Sequence, residues 1–264
     1  MADSGSAGWS DADAYERYIG RWSARVAARF VTWLDMPPHL RWLDVGCGTG
    51  ALTRAVLEAA DPQVVTGIEP AAAFAARARD AVAGRPARVT VGDARALPLP
   101  DDSVDVVVSG LVLNFVPDPA VALAEAVRVT APGGTVAAYV WDYAEDMQLI
   151  RWFWDAAGDL DPAAAALDEG VRFPLCRPQP LHDLWTAAGL ADVDVEPVVI
   201  DTPFADFDDY WTPFLGAVGP APGYLATLPA DRRAQLRELL RTRMAAIGTS
   251  TMDARAWAVR GHIR

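Results

Sequence analysis

The chain has 264 residues, of which 52% are hydrophobic and 22% charged, with a net charge of −12. That length and composition exclude a disordered chain and give room for one large α/β domain with insertions. The negative balance repels phosphate backbones, so nucleic acid is not an expected partner.

All 23 basic residues are arginine. Mechanisms that need a lysine amine, such as Schiff bases or a P-loop lysine, are therefore excluded. Cys47 and Cys176 form no CxxC pair, and His39, His182 and His262 are scattered, so no metal-ligand spacing is present. The N-terminus has neither the basic start nor the apolar stretch of a signal peptide. The longest apolar run, 104–116, is too short to span a bilayer. These features lead us to expect a cytoplasmic protein with no membrane partner.

Residues 13–34 carry Tyr15, Tyr18, Ile19, Trp22, Val26, Phe30 and Trp33 at steps of three and four, which predicts a helix. Asp11 or Asp13 would cap it, and Pro37 and Pro38 end it. A strand at 41–45 leads into a glycine loop, 46–50, and a helix at 51–60. A strand at 64–68 ends at Glu69-Pro70, and a helix at 71–83 precedes a strand at 87–91. Gly92-Asp93-Ala94 follows. The strand at 104–109 is continuous in valine and should be buried on both faces. A helix at 119–129, a Pro-Gly-Gly turn at 132–134 and a strand at 135–141 complete this half. Strands alternating with helices predict parallel βαβ units in a doubly wound sheet. Ligands of such sheets sit beyond the carboxyl ends of the strands.

After Trp141 the rhythm changes. Residues 142–177 are acidic and aromatic, and a helix at 181–188 is stopped by Gly189. A strand at 193–200, helices at 204–215 and 230–246 separated by a Pro/Gly stretch at 219–223, and a strand at 256–263 follow. The organisation expected is a capping helix (1–35), a ligand-binding core (36–142), and lid helices plus the last two strands of the same domain (143–264).

The glycine loop lets backbone approach a ligand closely. Gly46-x-Gly48-x-x-Ala51 also satisfies a relaxed dinucleotide pattern. Asp44 separates the two readings. A carboxylate there opposes a pyrophosphate at the helix N-terminus and suits a cationic ammonium group. Glu69, at the end of the second strand, can accept both hydroxyls of a ribose. Asp93, with Ala94, is placed to meet an adenine amino group; its alternative role is an Asx turn. The three acids follow three successive strands and so gather on one edge of the sheet.

These segments resemble the class I S-adenosylmethionine-dependent methyltransferases, in particular the small-molecule branch with the ubiquinone/menaquinone-type enzymes. The resemblance lies in Leu43-Asp44-Val45-Gly46-Cys47-Gly48-Thr49-Gly50, Gly67-Ile68-Glu69-Pro70, Gly92-Asp93-Ala94, the strand 105–109 with Val112-Leu113-Asn114-Phe115, and the segment 128–134. It implies a seven-stranded, mostly parallel, Rossmann-like α/β sheet with S-adenosylmethionine as cofactor and S-adenosylhomocysteine as product. The cofactor residues it implies are Tyr15, Arg21, Asp44, Gly46, Cys47, Gly48, Glu69, Pro70, Asp93, Ala94 and Ser109. No metal is implied. Many relatives carry a histidine pair where this chain has Asn114-Phe115. Asn is no general base near neutrality, so a histidine-assisted mechanism does not carry over.

The reaction expected is an in-line SN2 methyl transfer, in which orientation supplies much of the rate. Tyr18, Asn114, Tyr143 and His182 are the candidate catalytic residues, with Asp142 a further base. An aromatic wall in the variable region, including Trp152, Phe153, Trp154, Tyr210, Trp211 and Phe214, suits a flat, apolar small molecule. The acceptor expected is a small aromatic or heteroaromatic metabolite, bound by a monomer or homodimer. Two alternatives are a nicotinamide-dependent oxidoreductase and an S-adenosylmethionine-binding protein that transfers no methyl group.

Overall fold

The structure, a computed structural model, describes residues 16–217, 219–248 and 250–264. The apolar runs of the first half form four parallel strands: β1 (Arg41–Val45), β2 (Val64–Glu69), β3 (Ala87–Val91) and β4 (Val104–Gly110). Leu43 of β1 stands opposite Thr66 on β2 and Val107 on β4. With β5 (Thr130–Trp141), β6 (Ala191–Pro203) and β7 (Thr251–His262) they make one seven-stranded sheet in the order β3-β2-β1-β4-β5-β7-β6. β5 is parallel to β4. β7 runs antiparallel to β5: Gly133 N–H donates to the Ile263 carbonyl near one end, and Asp142 N–H to the Arg255 carbonyl near the other. The expected seven-stranded, mostly parallel α/β fold is the one formed. Strand order reverses between β1 and β4, which puts the topological switch point at the carboxyl end of β1.

The chain divides into two compact units. The first comprises residues 23–140, 177–198 and 257–264. It holds the parallel strands, most of helix α1 (Arg21–Leu34), and helices α2 (Ala51–Ala59), α3 (Ala72–Ala81), α4 (Pro119–Val129) and α7 (Pro178–Ala187). Its core contains Phe30, Trp42, Leu43, Ile68, Val106 and Val108, all essentially inaccessible to water. Burial of each such side chain stabilises by about 1.5–3 kcal/mol. Asp105 on β4 takes the backbone N–H and the guanidinium of Arg41 at 2.6–3.0 Å, which holds the start of β1 against β4. The Trp185 indole N–H donates to the Val136 carbonyl at 2.9 Å, so α7 is tied to β5.

The second unit comprises, of the described residues, those within 16–22, 141–176 and 199–256. It contains α5 (Gln148–Leu160), α6 (Glu169–Arg172), α8 (Phe207–Trp211), α9 (Pro220–Thr227) and α10 (Ala230–Ile247), with 3-10 turns at Pro162–Leu167 and Thr212–Gly216. Its interior is aromatic. Tyr18 meets Phe214 edge-on at 5.2 Å, Phe214 stacks on Phe153 at 4.8 Å, and Phe153 meets Trp154 edge-on at 5.3 Å. No helix among the described residues is long and apolar enough to cross a membrane.

Four expected elements are corrected. The described part of the N-terminal helix opens with a π-helical turn, Glu16–Gly20, before α1. Gly20, the poorest helix former of the segment, sits at the change. Residues 13–15 and both expected caps lie outside the described residues. The Pro-Gly-Gly turn at 132–134 lies within β5 as a bulge. Register jumps from Val104 opposite Thr130 to Val106 opposite Thr135, and Gly133 reaches φ +76° there. The helix at 204–215 is instead the short α8 followed by a 3-10 turn, broken where Pro213 supplies no N–H. The Pro/Gly stretch at 219–223 is not a loop. Pro220 opens α9, where a missing N–H costs nothing.

Candidate functional site

The glycine loop leaves β1 at the switch point. Gly46, Gly48 and Gly50 have φ of +74°, +55° and +91°, conformations that favour glycine. Gly46 has a second reason to be glycine: a Cβ there would lie 2.5 Å from Val112 Cγ1. The N–H groups of Gly46 and Cys47 both donate to the Ile68 carbonyl, at 2.7 and 3.1 Å. At Gly48 a Cβ would meet nothing within 4 Å, so the loop's tip is an open cradle.

Two carboxyls converge beneath it. Asp44 is wholly buried. Its Oδ2 accepts from the Thr53 hydroxyl at 2.6 Å, while Oδ1 has no hydrogen-bond partner among the described residues. Burial pushes its carboxyl up to about 7, and the neighbouring Glu69 adds to the shift. Glu69 ends β2 and is also buried. It accepts from Gly48 N–H at 3.0 Å and from Ala71 N–H at 2.9 Å, and burial raises its pKa despite both bonds. Pro70 follows, exposed. The Cys47 thiol is buried beside both acids; desolvation and then their charges push it up, away from thiolate chemistry.

The remaining sites in this unit are placed as follows. Asp93 is half exposed; its oxygens take the Arg95 backbone N–H at 2.9 Å and the Arg95 guanidinium at 3.1 and 2.6 Å. The Arg95 bonds hold it below the usual carboxylate range. This is an Asx turn, with Ala94 inside it. Ser109, at the end of β4, donates its hydroxyl to the Val45 carbonyl at 2.8 Å. Asn114 lies in the 3-10 turn Leu113–Phe115, and both its amide atoms are buried without a partner among the described residues. His182 stands exposed on α7, 3.6 Å from Asp183. Among the described residues, no group of three or more His, Cys, Asp and Glu is placed to hold a metal ion.

The second unit holds the other candidates. Tyr18 is buried, and its hydroxyl has no partner among the described residues. Tyr143 is buried with its ring 5.7 Å from that of Phe173. Arg21 is clasped by Asp209 at 2.7 and 3.0 Å and lies over the rings of Trp22 and Phe204. Asp142 is buried and bound by Arg255. Tyr15 lies outside the described residues. Thr53 and Val112 were not singled out as site residues from the sequence. Thr53 had only its place three residues past Gly50 as a signal, and Val112 only its place at the head of the motif 112–115.

A doubly wound sheet with an open glycine cradle at its switch point and two buried acids below it defines a cofactor-binding α/β domain. Residues 43–138 match the methyltransferase-domain family. That match spans just over a third of the chain. A malonyl-[acyl-carrier protein] O-methyltransferase from Halorhodospira halophila is 38% identical over 120 residues, 45% of this chain and 40% of that protein. A 2-methyl-6-phytyl-1,4-hydroquinone methyltransferase from Synechocystis is 37% identical over 121 residues, 46% of this chain and 38% of that one. The matches span only 30–50% of the length of these and the other curated relatives. The crystal structure of the YcgJ protein from Bacillus subtilis shares the fold, with a TM-score of 0.61 over 91% of this chain and 98% of that one at 18% identity.

Proposed function

We propose that the protein transfers the methyl group of S-adenosylmethionine to a small aromatic or heteroaromatic acceptor. One observation carries this reading: Asp44 is a wholly buried carboxyl with one oxygen lacking a partner, set under an open glycine cradle. A buried acceptor without a donor is costly, about 1–3 kcal/mol. An ammonium group supplies the missing donor and a compensating charge. A pyrophosphate supplies neither and is repelled, which argues against a nicotinamide cofactor.

The residues present fit S-adenosylmethionine. Asp44 and the loop 46–48 would hold its amino-acid end, Glu69 and Pro70 the ribose, and Asp93 with Ala94 the adenine. The bound cofactor supplies a methyl group already activated by a sulfonium centre. The protein's own part is then to hold and orient. Glu69 pins the tip of the glycine loop, and Val112 packs against its base. Ser109 ties the end of β4 to β1. Asn114 offers a buried amide that can position a polar group without acting as a base. The buried aromatic interior of the second unit supports a flat acceptor.

Calorimetric titration with S-adenosylmethionine, S-adenosylhomocysteine and NADH tests the cofactor. Micromolar affinity for the first two and none for NADH is expected. Binding of NADH alone would overturn the assignment of Asp44. Release of S-adenosylhomocysteine with a panel of aromatic acceptors then tests transfer, against the alternative of a binding protein.

A further inference from the structure

The second unit buries polar groups that the proposed cofactor site does not use. Tyr18 is 3% exposed, and its hydroxyl is sealed from water with no hydrogen-bond partner among the described residues. Its ring is fixed edge-on against Phe214. Glu169 is 2% exposed. Its carboxyl takes its own backbone N–H, the Trp154 indole N–H and the Ala221 backbone N–H at the start of α9. Those bonds hold the group in one orientation, and a carboxylate with about four lone-pair sites keeps capacity for another donor. Burial pushes it up to about 7. One run of contacts joins the two groups: Tyr18 packs on Phe214, Phe214 on Phe153 and Phe153 on Trp154, whose indole donates to Glu169.

An unsatisfied hydroxyl and a held carboxyl in one aromatic interior are costly to maintain as packing alone. Phenylalanine at position 18 would fill the same volume without the orphan donor. Both groups find use together if a ligand bears an acceptor for the phenol and a donor for the carboxyl.

We infer that the second unit binds, in its own interior, a flat aromatic ligand carrying an O–H or N–H group, held by the Tyr18 hydroxyl and the Glu169 carboxyl. Only the naming of this ligand as the methyl acceptor rests on the methyl-transfer reading. Phe153, Phe214 and Tyr224 supply apolar faces for the ring, and the two polar groups set its orientation. The ligand class is therefore hydroxylated or lactam-type heteroaromatics rather than plain hydrocarbons.

The test uses the full chain, 4-hydroxyquinoline and quinoline as probes, and the variants Tyr18→Phe and Glu169→Gln. Dissociation constants are read by calorimetry, with and without saturating S-adenosylhomocysteine. We expect 4-hydroxyquinoline to bind the wild type and to lose at least tenfold in affinity to each variant. Quinoline keeps an acceptor for Tyr18 but lacks the donor, so Tyr18→Phe should weaken it and Glu169→Gln should not. Affinity for S-adenosylhomocysteine should stay within twofold in both variants. Tyr18→Phe should melt at or above the wild-type temperature, so it remains informative if Glu169→Gln folds poorly. Wild-type affinity for 4-hydroxyquinoline in Tyr18→Phe, or no binding of that probe by the wild type, overturns the inference. Failure of S-adenosylhomocysteine to bind overturns the methyl-transfer reading and leaves the ring-binding result standing.

Discussion

Glu69 accepts the backbone N–H of Gly48 at 3.0 Å, and its second oxygen takes the N–H of Ala71 at 2.9 Å. One carboxylate at the end of β2 thus holds both the tip of the loop after β1 and the start of the segment leading into α3. Hydrogen bonds to a charged group contribute about 1.5–3 kcal/mol each. The side chain assigned to the ribose is therefore also the one that shapes the cradle.

Glu69→Ala and Asp44→Ala should each weaken S-adenosylhomocysteine binding more than tenfold while circular dichroism stays that of the folded protein. Asp44→Ala removes a desolvated carboxyl, so its ligand-free stability should hold or rise. Thr53→Val should do the opposite. It strips Asp44 of its side-chain donor and should cost about 1–3 kcal/mol. Unchanged calorimetric affinity in both alanine variants would sink the site.

Gly46→Ala and Gly48→Ala should separate fold from site. At Gly46 a methyl meets Val112 at 2.5 Å and φ is +74°. Left-handed strain of about 1–2 kcal/mol adds to overpacking of about 1–3 kcal/mol. Val112→Ala in the same chain should recover the second part only. At Gly48 the methyl meets no protein atom within 4 Å. Its main effect should be lost cofactor affinity, with about 1–2 kcal/mol of strain from φ. Denaturant melts and calorimetry on the three variants read both quantities.

Stability of the ligand-free protein should fall as pH rises from 5 to 8. Asp44 and Glu169 are pushed up to about 7 and Glu69 is raised, against about 4 in the unfolded chain. The folded state therefore keeps protons that the unfolded state has already lost, and stability declines until these groups ionise. Asp93, Asp105, Glu125 and Asp209 are held low by arginines, so their contribution is lost only in stronger acid. Cofactor affinity should rise over the same window, because an ammonium prefers ionised Asp44. Thermal melts at pH 5, 6, 7 and 8 check the first claim; a melting temperature that climbs with pH contradicts it. Asp44→Asn should flatten the slope.

Arg255 should be among the most sensitive positions of the second unit. Its guanidinium binds buried Asp142 at 2.7 Å and reaches Glu145 and Asp146 at 2.7 and 2.8 Å. Arg255→Ala leaves Asp142 charged and dry, at a cost of about 3–5 kcal/mol. Adding Asp142→Ala should restore much of that loss in a denaturant titration, because the uncompensated charge goes with it.

The fold was legible where its signals are local. Valine runs and alternating helices announced the parallel strands, and Asp44, Glu69 and Asp93 stood at the ends of β1 and β2 and just after β3. Pro-Gly segments misled in two places because their meaning depends on what lies alongside. Gly133 and Gly134 bond across to Ile263, which turns an apparent loop into strand. Pro220 opens a helix where a break was expected. Arg21 shows the same limit at the level of roles. Nothing in the segment around it announces Asp209, which clasps it in the structure.

The sequence by itself determined the glycine loop, the order of strands and helices, and the acids at the strand ends. Backbone conformation and residue periodicity act over a few neighbours, and each of these features is written within a short segment. Only the tertiary structure decided which of those acids lose water, that Thr53 leaves one Asp44 oxygen unpaired, that Val112 closes on Gly46, and that Tyr18 shares an interior with Glu169. Desolvation and pairing depend on groups far apart in the chain, and only packing brings those together.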